Sequence, residues 1–446
     1  MFPLFLPGCF LLTEAQLADR LAHGAVAADS GPDSGGADDS GGHGDSGEPE
    51  DTGAERTFYR DADADGSGDP GASLLATVAP EGYVENAWDC LDTDASEPVW
   101  VATDGLPSGP GSFDMPYAAM SDAVLDAFLC VRIRPGVYTG AVDLGGHNLD
   151  IEGIEGSAVT TLDALSGGPV VSVNGGENAT LAGLTLTGGS GSQGGDYAYG
   201  GGVLVINPAK LSMHDVVITG NVAINGGGIY TTSPDLQLEQ VVIAGNDAYA
   251  GGGFLQEGGA VRGSQVRLLD NTGGYGVAGY SAGGTLELTN VIAGANRGTE
   301  GIDGFYLVSS STQFVNVTIV DHDYALAVES SAEAPGSLTL VNSILGGGEF
   351  GLVLYGEPLA EVRYSWFFGH SGRDWYPDES NIIGTAGNVS QDPVFAAFTA
   401  NGAAGDDDLH LAVGSPALDA GDPAVLDADG SRSDVGAYGG PAGSWP

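Results

Sequence analysis

From about residue 130 onward, apolar and polar positions alternate in short runs, each closed by small residues. Residues 211–221 (LSMHDVVITGN) and 236–246 (LQLEQVVIAGN) carry one pattern, and residues 180–189 (TLAGLTLTGG) a close variant. Later copies run through 314–320 (FVNVTIV) and 340–345 (LVNSIL). Period-two alternation of Leu, Val and Ile predicts half-buried β-strands. The runs recur at one interval. Gly220-Asn221, Gly245-Asn246, Asp270-Asn271 and Ala295-Asn296 place their asparagines 25 residues apart each time. Glycine triplets, Gly226-Gly227-Gly228 and Gly251-Gly252-Gly253, follow the first two pairs. Strands this short, at constant spacing, leave no room for a helical crossover, and no recurrent Asn-Gly hairpin joins them. The pattern predicts an all-β solenoid of roughly ten coils, each stacked in parallel on the last.

In such a solenoid, Asn221, Asn246, Asn271 and Asn296 fall at one bend of successive coils. A side-chain amide both donates and accepts, so the four are expected to form a structural ladder that satisfies turn backbone. The open ends of a solenoid need covering. Met120, Val124, Leu125, Phe128 and Leu129 recur at helical spacing just before the first strands, with Pro116 near the start, which predicts a short N-terminal capping helix. The tail from about Gly387 is expected to close the other end.

The remaining chain reads differently. Residues 1–12 are apolar and too short to span a bilayer, and within them Leu6-Pro7-Gly8-Cys9 resembles the end of a bacterial lipoprotein signal, with Cys9 as the lipidated residue. Residues 13–56 are Gly, Ser, Asp and Glu after one short helical stretch; they predict a disordered, self-repelling tether. Residues 57–100 form a compact acidic module, and 113–440 the solenoid with its caps. Sixty acidic residues stand against 12 basic ones, a formal charge of −48, and Lys210 is the single lysine. That balance excludes nucleic acid as a partner and points to an extracellular or cell-surface setting, where cations screen the repulsion. With Cys9 lipidated, Cys90 and Cys130 remain as one disulfide pair of an export compartment.

Taken together, residues 113–440 resemble the bacterial right-handed parallel β-helix proteins of the pectin-lyase-like superfold, in their secreted and surface-anchored branch. The resemblance rests on the Gly-Asn and Gly-Gly-Gly coils, on residues 133–138 (IRPGVY), and on the terminal 392–395 (DPVF) and 415–422 (SPALDAGD). It implies right-handedness and leaves activity open, since that fold serves lyases, hydrolases, epimerases and adhesins. The acidic module resembles the MopE-like and thrombospondin type 3-like calcium-binding modules of bacterial surface proteins, although Leu91 stands where those carry an aspartate.

Candidate chemistry follows from residue type. Asp61, Asp63 and Asp65 before Gly66 reproduce the start of a calcium loop, with Asp69, Asp89, Asp92 and Asp94 as further oxygen donors. Ala72 replaces the bidentate glutamate of an EF-hand, so a structural Ca2+ site of another kind is expected. Asp427, Asp429 and Asp434 around Gly430 make a second, weaker set. Lyase chemistry needs an arginine or lysine base; Arg262, Arg267 and Arg297 lie in the coils. Hydrolysis needs two facing carboxylates; Asp321 and Asp323 flank His322 at the bend that asparagine holds elsewhere. Trp366, Phe368, Trp375 and Tyr376 interrupt the coil pattern and offer rings for a sugar or peptide. The leading expectation is a non-catalytic surface scaffold or adhesin with an extracellular polysaccharide or cell-surface component as partner. The alternatives are a polysaccharide lyase or glycoside hydrolase, and a carbohydrate-binding protein without turnover.

Overall fold

The computed structural model describes residues 55–64, 66–90, 98–192, 197–331, 333–377 and 382–445. Cys9 and residues 1–54, with the tether and lipidation expected there, lie outside them, as do Asp65, Asp92 and Asp94. The chain divides between Pro98 and Val99 into two compact units.

The first unit has little to bury. Arg56–Arg60 pairs antiparallel with Asp69–Ala76 on one side and with Tyr83–Val84 on the other. Among its described residues Phe58 is the fully buried apolar side chain, while Leu75 and Val78 stay exposed. Hydrogen bonds hold its loops: Asn86 accepts from the Gly68 and Trp88 amides and donates to the Gly66 carbonyl. Cys90 and Cys130 are both disulfide-bonded, as the cysteine count predicts.

The second unit is a right-handed parallel β-helix of about ten coils, built as the repeat predicts. Ten short strands stack into one parallel sheet, from Val142–Asp143 to Arg373–Tyr376. In it Val171, Val203, Ile229, Phe254, Gly279, Phe305, Leu326, Leu352 and Trp375 fall in one register and point into the core. Longer strands such as Lys210–Thr219, Leu236–Ala244 and Ala260–Leu269 form the second wall. Each bends halfway at a residue of positive φ: Asp215, Gln240, Gln265, Asn290, Asn316, Asn342 and Tyr364. A four-stranded sheet, Val222–Asn225 to Arg297–Ile302, closes the middle coils. The glycine triplets sit where coils touch: Gly226 and Gly251 have φ near +68° and +66°. A Cβ on Gly228 would meet the Gly253 carbonyl oxygen at 2.4 Å.

The capping helix spans Met120–Asp126 and buries Met120, Ala123 and Val124 on the core. It is shorter than the spacing predicts. Leu125 lies on the outer face of the helix and Ala127 is already extended, which carries Phe128 off the core face; the two are exposed at 75% and 76%. At the far end, Ile382 packs on the core and Val389–Ser390 pairs with the strand Trp366–Phe368. The tail beyond corrects the expectation of an end plug, because it runs back along the side of the coils. Asn290 donates to the Ala437 and Gly439 carbonyls, and Asn316 to those of Asp434 and Gly436. Asn342 accepts the Asp422 amide at 2.6 Å, and Gln265 donates to Ala442. The side chains at these bends thus satisfy main-chain groups of the tail.

Candidate functional site

The four predicted asparagines stand fully buried in one column. Asn221 Nδ2 donates to Asn246 Oδ1 (3.0 Å), Asn246 Nδ2 to Asn271 Oδ1 (3.1 Å), and Asn271 Nδ2 to Asn296 Oδ1 (2.8 Å). Each Oδ1 of the last three also accepts the main-chain N–H of the preceding rung. Asn296 Nδ2 then meets His322 Nε2 at 3.0 Å, so His322 is the terminal rung. Accepting there leaves the ring proton on Nδ1. Burial, and then the Arg297 charge, hold the imidazole neutral, with its pKa lowered to about 3.

The trio around that histidine does not converge. Asp321, itself at positive φ, accepts from Arg297 Nη2 (2.7 Å) and the Gly402 amide (2.8 Å). His322 turns inward and Asp323 is exposed. A carboxylate missed by sequence reasoning, Asp303, is buried beneath them and accepts the Asp323 and Tyr324 amides at 2.9 and 3.0 Å. Burial raises its pKa to about 6, against those two bonds.

The arginines are also engaged. Arg262 bridges Asp235 (2.9 Å) and Glu287 (3.1 Å) across three coils. Arg267 lies over the Trp445 ring at 4.7 Å. The Arg297 guanidinium donates to both the carboxylate (2.7 Å) and the main-chain carbonyl (2.5 Å) of Asp321. Around Arg262 the bent strands leave an open groove of ≈ 550 Å³, lined by Ser212, Gln237, Thr289 and the loosely opposed His214 and Glu239, 3.9 Å apart. Near the last coil, His370 Nδ1 and Ser390 Oγ both bond Asp374, at 2.7 and 2.5 Å. The carboxylate stands between serine and histidine, which is the wrong order for activating a nucleophile.

Trp366 (4% exposed) and Trp375 (7%) correct the expectation of ring platforms there: both are packed in apolar clusters. Phe368 packs edge-on against Phe395 and Phe398, each at 5.8 Å. Tyr376, at 42%, is exposed. It belongs to a feature that sequence reasoning missed. On the outward side of the ten-stranded sheet, Leu204, Tyr230, Leu255, Tyr280, Tyr306, Ala327, Val353 and Tyr376 fall in one register. Tyr280 and Tyr306 meet edge-on at 5.2 Å, and Tyr199 and Tyr230 in a tilted pair at 4.7 Å. Two of the rings bond a carboxylate on the next coil: Tyr230 donates to Glu257 (2.7 Å) and Tyr306 to Glu329. The signal was present in the sequence, as a ring one or two residues after each glycine turn (Ile229-Tyr230, Gly279-Tyr280, Phe305-Tyr306).

In the acidic module, Asp61 Oδ2 accepts the Gly66 amide at 3.2 Å, while Asp61 Oδ1 is buried without a hydrogen-bond partner. That orphan oxygen and the all-oxygen donor set fit a hard cation. Asp69 Oδ1 accepts the Gly71 amide (2.7 Å), and the Asp89 amide bonds the Gly68 carbonyl, which brings Asp89 beside the loop. Among the described residues no three His, Cys, Asp or Glu side chains converge as a metal cluster. The second acidic set is occupied by its own loop. Asp427 accepts the Asp434 and Gly440 amides, Asp429 accepts Ser431, and Asp434 accepts the Asp419 amide. Among the described residues no helix is long and apolar enough to cross a membrane.

No family model matches the sequence, and no curated protein matches it. Among solved structures, the chain is similar to the pectate lyase Pel9A: 13% identity, TM-score 0.44, with 76% of this chain and 96% of that one covered. It is similar more weakly to the pectin methylesterase from Aspergillus niger: 10% identity, TM-score 0.26, with 70% and 94% covered. Likeness at this level carries no argument about activity.

Proposed function

We propose that this chain is a non-catalytic, calcium-stabilised β-helix scaffold, adhesin-like, displayed outside the cell. One observation carries the reading. Three of the side chains offered for acid–base or lyase chemistry already hold coil to coil: Arg262 between two carboxylates, Arg297 on Asp321, and His322 as the buried end of the asparagine column. A general base needs a free, solvent-facing lone pair within reach of substrate. The His322 environment opposes its taking a proton.

Within the reading, Asp61, Asp63, Asp65 and Asp69, joined by Asp89, Asp92 and Asp94, hold Ca2+. The ion supplies charge neutralisation to a unit whose apolar core is little more than Phe58. Residues 13–56 serve as the tether and Cys9 as the lipid anchor, of an outer-membrane lipoprotein or a similar surface form. A panel of polysaccharides, neutral, acidic and amine-bearing, incubated with the full chain with and without calcium, tests the absence of turnover. New reducing ends or unsaturated products that depend on the protein would overturn it. Binding without turnover is favoured by the open groove around Arg262 and by the tyrosine row.

A further inference from the structure

The tyrosine row lies outside the solenoid core, which is filled from the other side of the same strands; its upstream end, Leu204, Tyr230 and Leu255, is a buried cluster of its own, against which Tyr280 packs. Its downstream end is the accessible part. Tyr355 and Tyr376 are exposed at 39% and 42%, and Tyr280, Tyr306 and Tyr324 are half-buried. Tyr355 lies within electrostatic reach of Tyr324, Tyr376 and Glu329, and Tyr324 within reach of Glu349 and Asp323. Glu329 spends one hydrogen bond on Tyr306 and keeps lone pairs for another donor. Arg373, opposite Phe350 in the register, is the cation of this stretch, against Glu329, Glu349 and Asp323.

We propose that this face, from Tyr280 to Tyr376, is a binding site for an extended, amine-bearing polysaccharide. Tyr280 and Tyr306 lie in register one coil apart, about 4.8 Å, and Tyr324, Tyr355 and Tyr376 follow on the next three coils at shifted positions, so each coil offers a ring to a chain of sugars. The neighbouring carboxylates take ammonium and hydroxyl donors, and rings beside carboxylates favour cations further. A peptide fits less well. Every strand here except the last, Arg373–Tyr376, already pairs with the coils on both sides, so away from that edge this face offers a peptide backbone no ladder to join. A polyuronate is repelled by the three carboxylates and by the net charge of −48. The inference rests on the non-catalytic reading above.

The test is titration calorimetry of the full chain with a glucosamine hexamer, its N-acetylated counterpart, oligogalacturonate and hexalysine. The expected result is binding of the glucosamine hexamer, weakened by salt, with at least tenfold lower affinity for the other three. Tyr355→Ala with Tyr376→Ala changes no charge and removes exposed rings, so the fold is retained; about tenfold weaker binding is expected from two lost stacking contacts. Glu329→Gln should weaken it comparably while Tyr306 keeps an acceptor. Equal binding of hexalysine or of the N-acetylated hexamer would overturn the proposal. So would affinity unmoved by the double tyrosine variant, which marks attraction to bulk charge alone. Product release in these titrations would instead overturn the non-catalytic reading, whereas no binding and no release sinks only this inference.

Discussion

Truncating Asn271 removes the middle of the asparagine column, and the structure sets the size of the loss. The side chain is fully buried. Its Oδ1 accepts the Asn246 N–H (3.0 Å) and Nδ2 (3.1 Å), and its Nδ2 donates to the Ile243 carbonyl (2.9 Å) and Asn296 Oδ1 (2.8 Å). Not all four partners are orphaned in Asn271→Ala. Asn246 Nδ2 keeps the Ile218 carbonyl, and Asn296 Oδ1 keeps the Asn271 main-chain N–H. The Asn246 amide and the Ile243 carbonyl lose this partner outright. At about 1–3 kcal/mol for each buried unsatisfied group, plus a small cavity, the loss should be about 3–5 kcal/mol. Urea denaturation should show a lower midpoint with an unchanged slope. Hydrogen exchange should accelerate first at the Asn246 amide, since a solenoid opens locally. The exposed Gln237→Ala is the control. A loss below about 1 kcal/mol, or no local change in exchange, would refute the claim that the column holds the coils together.

Three further outcomes are expected. His322 has a folded pKa of about 3 against 6.5 unfolded, so the unfolded state takes the proton first and stability is lost as pH falls from about 6.5 to 3. Asp303, raised to about 6 from 3.8, opposes this: it gains stability as pH falls from about 6 to 3.8. Denaturation midpoints of His322→Asn against the parent, from pH 7 to 4, isolate the first effect; the variant should lose less stability on acidification, and parallel curves would count against a neutral buried histidine. Gly279 sits between Phe254 and Phe305 on adjacent coils, and a Cβ there would meet Phe254 Cε1 at 2.4 Å. Gly279→Ala should therefore cost about 1–3 kcal/mol in thermal unfolding, and a neutral result would contradict the packing. Chelation should lower the melting temperature of the acidic module, with calcium restoring it; an unchanged melt together with no bound calcium by calorimetry would remove the metal from the account.

The architecture was legible because one constraint repeats: core-facing Leu, Val and Ile at period two, and a bend asparagine every 25 residues. The second column, Asn290, Asn316 and Asn342, was not, although its Val-Asn and Thr-Asn context also repeats. Its partners lie 80 to 149 residues away in the tail, and no local pattern encodes a contact at that range. The arginines misled for a related reason. A charged residue on a strand reads the same whether it faces a ligand or, like Arg262, two carboxylates on neighbouring coils. The aromatics split by strand parity. Trp375 and Tyr376 are adjacent in sequence, yet alternation sends the first into the core and the second out. The tether and Asp65, Asp92 and Asp94 lie outside the described residues.

The central claim is that this solenoid engages its partner without transforming it. Immobilised polysaccharides, exposed to the full chain with and without calcium, can be read in the same wells for retained protein and for released reducing or unsaturated ends. The expected result is retention on the amine-bearing polymer with no release from any polymer. Release above the buffer control, abolished by Arg262→Ala or His322→Ala, would contradict it.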